Sequence, residues 1–288
     1  MLEAALAVVV WGASFIATKI ALRDISPFPL IWLRFGIGVM VLGIAVAVRR
    51  EFRLPAPRDL VAFGLLGLLG ITFHQWLQST GLITAQASTT GWIIATIPVF
   101  IAILGRLFLG ERLEGGRVLG IVLAGAGVLL VVTRGDLSML FRGNLSTPGD
   151  ILILISAANW AVFSILSRRG LKRHPASLML FFVMASGWLL VNPLLFATST
   201  FADFGHVTMR GWMAVLFLGV FCSGFAYIWW YDALQRLPAS QAGALLYVEP
   251  LVAVVVAAAL LGEEVTPLTL VGGAVILAGV WLVTRRQR

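Results

Sequence analysis

Apolar residues do not alternate with polar ones along this chain; they gather in ten runs separated by short charged or Pro/Gly-rich breaks. The runs cover residues 2–22, 28–48, 59–80, 84–107, 116–133, 149–169, 177–197, 210–232, 240–261 and 267–284. Each is close to the roughly 20 residues that a helix needs to cross hydrocarbon. Strands of a membrane barrel would be shorter and would alternate lipid-facing with lumen-facing side chains. The pattern therefore predicts an all-α membrane protein with ten transmembrane helices. The first run carries Glu3 at its start, with no basic residue before it and no small-residue cleavage site after it, so it is expected to be a retained helix rather than a signal peptide.

The pattern is also written twice. Shifted by 152 residues, Leu109-Gly110-Glu111 falls on Leu261-Gly262-Glu263, Pro98 on Pro250, Ala87-Ser88 on Ala239-Ser240, Gly91 on Gly243, and Ala126-Gly127-Val128 on Ala278-Gly279-Val280. Between 81 and 132, 14 of 52 positions are identical to their counterparts, and the same offset runs back through Phe73/Phe225 and Gly67/Gly219 to Arg58/Arg210. Each copy holds five helices, an odd number, so the second must enter the membrane from the opposite face. The duplication becomes an inverted repeat about a pseudo-two-fold axis in the membrane plane, the plan in which a substrate sits at the repeat interface. The expected division is a first repeat over 1–133, a linker over 134–148 and a second repeat over 149–288, joined in one bundle around a central cavity.

Composition agrees: 60% of residues are hydrophobic and 12% charged, against about 25% charged in soluble domains. The net charge of +8 is read as arginines holding loops at a membrane face, since no basic surface with interleaved aromatics points to nucleic acid. With the N-terminus inside, 15 of the 21 Lys and Arg residues fall on the cytoplasmic side, and six (Lys19, Arg23, Arg34, Arg134, Arg142 and Arg210) on the other. Both termini are then cytoplasmic. Cys222, the single cysteine, lies in an apolar run and is expected to pack.

Three features resemble the ten-helix EamA branch of the drug/metabolite transporter superfamily: Trp11-Gly12-Ala13-Ser14-Phe15 followed by Lys19; a proline twelve residues before a Gly-Glu pair, at Pro98 and again at Pro250; and the glycines Gly120/Gly127 and Gly272/Gly279 in the last helix of each repeat. The second repeat departs from this opening, with Trp160-Ala161-Val162-Phe163 in place of Trp11-Gly12-Ala13-Ser14 at an offset of 149. The aromatic run in the middle helices resembles bacterial amino-acid exporters of the YddG type. That resemblance implies export of aromatic and neutral amino acids or related metabolites across the bacterial cytoplasmic membrane, by alternating access.

Candidate site residues follow from depth and chemistry. Gly67, Gly70, His74, Gln78 and Gly81 share one helical face, on which His74 and Gln78 either pair with a neighbouring helix or bind a zwitterion. Tyr227 is placed to flank a planar ligand, whereas Trp230 and Tyr231 fit an interfacial aromatic belt. Trp11, Ser14, Asn159, Trp160 and Phe163 are expected around the cavity, with Tyr247 beside them on the ninth helix. Glu249 lies about ten residues into its run and is a candidate proton carrier, since a carboxylate at that depth is costly to bury. Pro98 and Pro250 are candidate hinges. Lys19 and Arg34 read as snorkelling cations. Ser88, Gly91, Ser240 and Gly243 read as packing seams, and Glu111 and Glu263 as acids favouring the N-terminus of the helix that follows each.

Enzyme chemistry finds no support: there is no HExxH, CxxC, EF-hand or P-loop pattern, and His74, His174 and His206 are dispersed. No cofactor or metal is expected, and the partners are a small solute and the bilayer. The alternatives to amino-acid export are an organic-cation or multidrug exporter, with Glu249 as counter-charge, and a channel-like permease. Oligomeric state stays open.

Overall fold

The computed structural model describes residues 1–109, 115–133, 147–198, 204–236 and 245–284. These form ten helical elements: α1 (Leu2–Ala21), α2 (Pro27–Val48), α3 (Pro57–Thr84), α4 (Ala87–Ile94 and Ile97–Leu109), α5 (Gly115–Val132), α6 (Pro148–Leu171), α7 (Ala176–Thr198), α8 (Met209–Arg236), α9 (Val248–Leu261) and α10 (Pro267–Thr284). Nine described spans are long and apolar enough to cross a membrane, and α9 is shorter. Proline opens α2, α3, α6 and α10, at the one helical position where its missing N–H costs nothing. Thr147 and Asp150 close a capping box on α6, satisfying two otherwise orphaned donors.

The helices of the two halves interleave. α1 packs on α8 and α9, and its counterpart α6 packs on α3 and α4. α2 packs on α8 as α7 packs on α3, while α2·α7, α4·α9 and α5·α10 each meet their own counterparts. The α5–α10 seam displays the symmetry directly. A side chain at Gly120 would meet the Gly279 carbonyl at 2.6 Å, and one at Gly127 the Gly272 carbonyl at 2.7 Å. These two contacts exchange under the repeat, so the helices run antiparallel about a two-fold axis between them. The recurrent glycines let the backbones close together where lipid offers no hydrophobic drive.

Three features differ from the sequence expectation. The first is a π-helical stretch inside each long central helix, Leu68–Phe73 in α3 and Phe217–Phe225 in α8, at matching repeat positions. Each alters the angular spacing that a 3.6-residue period assumes. Gly67 consequently meets Val183 and Gly187 of α7, whereas Gly70, His74 and Gly81 meet α6; the predicted single face is divided between two neighbours.

The second is a break before each of the repeated prolines, Pro98 and Pro250. α4 is interrupted at Ala95 and Thr96, and α9 starts at Val248 after turns at Leu246 and Tyr247. Pro98 and Pro250 therefore sit in the first turn of a helical segment rather than kinking a continuous helix, and Glu249 is in a first turn rather than deep inside one.

The third is Arg34, counted with the outer charges but buried in the bundle at 5% exposure. The Gly110-Glu111 pair, Ser240, Gly243 and nearly all of the 134–148 linker lie outside the described residues.

Candidate functional site

The long central helices α1, α3, α6 and α8 bring most of the predicted residues into one layer. Trp11 crosses from α1 to α8: its indole N–H donates to the Cys222 carbonyl at 3.1 Å, and its ring lies 5.5 Å from Tyr227, edge-on, and 5.6 Å from Trp230. The other half makes a related contact, as Asn159 of α6 donates to the Leu69 carbonyl of α3 at 2.8 Å. Both carbonyls belong to the π-helical stretches, and each is bonded by a side chain from the opposite repeat.

His74 stands in the middle of α3. Its Nδ1 is 3.1 Å from the Ser156 carbonyl, so that nitrogen carries the proton in this bond. Its ring lies 4.7 Å from Trp160, which lies 4.7 Å from Phe163. Gln78 and Ser14 are buried, and neither side chain hydrogen-bonds to a described residue. Gly12, beside Trp11, lets α1 close on the start of α9, where a side chain would meet the Glu249 carbonyl at 2.6 Å. The tryptophan and glycine of the first-helix motif thus face two different neighbours.

Several expectations need correction. Phe163 is buried against Gly70 in the core cluster that also holds Tyr227, so both rings are packed in this structure. Tyr247 stands apart from the central layer: it packs in the cluster around Trp92 and Ile276, and its hydroxyl bonds Thr284 at 2.7 Å. Trp230, read as belt, is at the centre beside Trp11, while Trp229 stacks on Phe225. Lys19 does not snorkel freely: it donates to the Ala85 carbonyl and lies 3.3 Å from Glu263.

Glu263 does not serve the helix that follows it. Gly262 takes the left-handed conformation, φ 65°, which glycine adopts without strain, and the chain turns back so that Glu263 caps α4. Its carboxylate accepts from the N–H of Ala87 at 2.8 Å, and from the N–H and hydroxyl of Ser88 at 3.0 and 2.7 Å. Burial pushes this carboxyl up, but the bonds from Ser88 and Ala87 and the charge of Lys19 outweigh it and hold it below its usual range. Ser88 is therefore an anion-binding cap, while Gly91 is a true seam against Pro250 and Ala253.

The polar contacts of Arg34 were not anticipated. Its Nε donates to Ser223 at 2.8 Å and its Nη1 to Gln75 at 3.1 Å, joining α2 to α3 and α8. The available signal was its place well inside an apolar run rather than at the edge. A cleft of about 500 Å³ opens beside the layer, between the ends of α2 and α8 and Glu3 of α1, with the Arg49–Asp232 ion pair at its rim.

The model of the EamA-like transporter family matches residues 1–133 and 147–285. An uncharacterized transporter of Archaeoglobus fulgidus is 30% identical over 98% of this chain and 96% of its own. A protein of Streptantibioticus cattleyicolor named a probable terminal-alkyne amino-acid exporter is 31% identical over 98% of this chain and 92% of its own. A solved crystal structure shares the fold, with a TM-score of 0.68 over 98% of this chain and 95% of its own at 23% identity.

Proposed function

The chain belongs to the EamA-like transporter family, and on that premise we propose that it is a secondary transporter exporting amino acids with aromatic or neutral side chains, and related metabolites, from the cytoplasm. The observation that carries this reading is the central layer itself. Trp11, Trp160, Tyr227 and Trp230 offer apolar walls, and His74, Gln75 and Gln78 offer a few polar groups, between two interleaved halves. A small-molecule site needs this combination: apolar surface for affinity and sparse polar groups for orientation. The break in α4 and the turn that precedes α9 supply points where segments can reorient when one half rocks on the other, with Pro98 and Pro250 as hinges. The name of the Streptantibioticus relative supports the amino-acid class. The Lys and Arg distribution supports a cytoplasmic membrane location with both termini inside.

Glu249 is assigned the coupling role. It is half-buried in the first turn of α9 and its carboxylate makes no ion pair or hydrogen bond with a described residue, so it is available to exchange a proton as the halves move. Organic-cation export is the weaker reading, because a cationic solute would meet the buried guanidinium of Arg34.

Counterflow in proteoliposomes tests the proposal. Vesicles loaded with unlabelled phenylalanine, tryptophan, methionine, threonine or lysine are followed for entry of labelled phenylalanine, with and without a pH gradient. Overshoot with neutral and aromatic loads and none with lysine is expected, with Glu249→Gln flattening the pH dependence. Absence of overshoot with every amino acid would sink the amino-acid reading, and flux without saturation or counterflow would favour a permease.

A further inference from the structure

Arg34 is a buried cation with no anionic partner among the described residues. The ion pairs among the described residues are Lys19–Glu263, Arg49–Asp232, Arg173–Asp59 and His174–Asp59, and Arg34 is in none of them. Its two hydrogen-bond partners, Ser223 and Gln75, are neutral, its guanidinium lies 5.1 Å from the centre of the Phe35 ring, and its Nη2 makes no hydrogen bond with a described residue. A guanidinium stays charged in any protein environment. Two neutral bonds do not offset the loss of water around a buried charge; such groups are ordinarily paired.

The bundle itself does not require this charge. At the offset of 149 that aligns Trp11 with Trp160 and Gly38 with Gly187, the counterpart of Arg34 is Val183. At 152, the counterparts of Ser223 and Gln75 are Ile71 and Tyr227. Val183 and Ile71 belong to one apolar cluster that also holds Tyr227, so the same packing is built in the other half without a charge. The Arg34–Ser223–Gln75 constellation is thus a one-sided addition to a symmetric scaffold. It also adjoins the central layer. Arg34 is about 10 Å along α2 from the first residue of that helix; Ser223 is one turn before Tyr227, and Gln75 adjoins His74.

We propose that Arg34 is the anion-receiving group of the central site, so that the solute carried is a small organic carboxylate whose charged end docks on the guanidinium while its side chain lies among Trp11, Trp160 and Tyr227. This deepens, and rests on, the transporter reading above. Ser223 and Gln75 fix the plane of the fork, and a fixed fork presents its remaining N–H groups in the geometry that a carboxylate accepts from.

The test is binding to purified protein in detergent, followed by calorimetry or intrinsic tryptophan fluorescence. The probes are phenylalanine, 3-phenylpropionate without the ammonium, and phenylethylamine and phenylalaninamide without the carboxylate, with a matching series built on leucine. Wild type is expected to bind the carboxylates about 10- to 100-fold more tightly than the amine and amide. Arg34→Gln should erase that preference and Arg34→Lys keep part of it. Equal binding across the series, or no binding of any carboxylate, overturns the assignment, as does an unchanged preference in Arg34→Gln. If that variant does not fold, the wild-type series and the pair Gln75→Leu and Ser223→Ala decide, since both keep the cation and release its orientation; these two should narrow the preference. Counterflow separates this assignment from the broader reading. Exchange without carboxylate preference removes the role of Arg34 and leaves a transporter, whereas carboxylate binding without exchange does the reverse.

Discussion

The centres of α3 and α8 are the same backbone carrying different chemistry. Both pass through a π-helical stretch at matching positions, and both have a carbonyl there bonded from the opposite repeat. Yet where α3 presents His74, Gln75 and Gln78, α8 presents Ala226, Tyr227 and Trp230. Interleaving constrains the backbone equally in both halves, because each π-helical stretch packs against a helix of the other repeat. No such constraint acts on the side chains proposed to line the site, and one half is polar there while the other is aromatic. In the proposed transporter an amphipathic solute is matched by two unlike walls rather than by two copies of one wall.

The largest effect is expected where the shared backbone is tightest. A side chain at Gly67 would lie 2.6 Å from the backbone of Val183 and Gly187, whereas at the equivalent Gly219 it would meet the Ile37 side chain at 2.7 Å. Backbone cannot move aside as a side chain can, so Gly67→Leu should cost about 3 kcal/mol and Gly219→Leu less. Yield of monodisperse protein and its thermal midpoint in detergent report the difference; equal losses would mean that the two sites are equally stiff.

A second effect addresses the walls themselves. Trp160→Ala removes a ring packed on His74, and Tyr227→Phe removes a hydroxyl that bonds no described residue. Both should change substrate preference in competition counterflow more than they change folded yield. Parallel losses of yield and transport would make the pair packing residues and dissolve the contrast between polar and aromatic walls.

The smallest effect concerns the end of the bundle where Glu263 caps α4. Its carboxyl is held below the usual range in the folded state, so its stabilisation is complete above the unfolded carboxylate value and disappears as pH falls through the lowered folded value. Glu263→Gln should lower the thermal midpoint at neutral pH by the equivalent of about 1–2 kcal/mol, with wild type and variant converging in acid. A gap independent of pH would show that the charge of Glu263 contributes nothing to the cap.

The residues that were legible in the sequence share a property: their type is costly or conspicuous in lipid. His74, Trp11, Trp160 and Tyr227 stood out from apolar runs, and the structure gathers them. Tyr247 stood out equally and lies elsewhere, because depth along a helix does not fix the direction in which a side chain points. Arg34 was visible but misplaced. A long cation two turns into a helix can reach the interface or turn inward, and only the partners Ser223 and Gln75, distant in sequence, decide which. Glu263 was assigned to its sequence neighbour, whereas the left-handed turn at Gly262 sends it to a helix of the other repeat.

Hydrophobic run length, the parity of five helices and the doubled motifs determined the ten-helix architecture and its inversion, because a bilayer restricts a chain to self-satisfied helices of fixed length. Tertiary structure alone decided which helix each polar group meets. The π-helical stretches and the breaks before Pro98 and Pro250 turn side chains away from the faces that a regular period assigns, and interleaving brings together groups such as Arg34 and Ser223 that lie 189 residues apart.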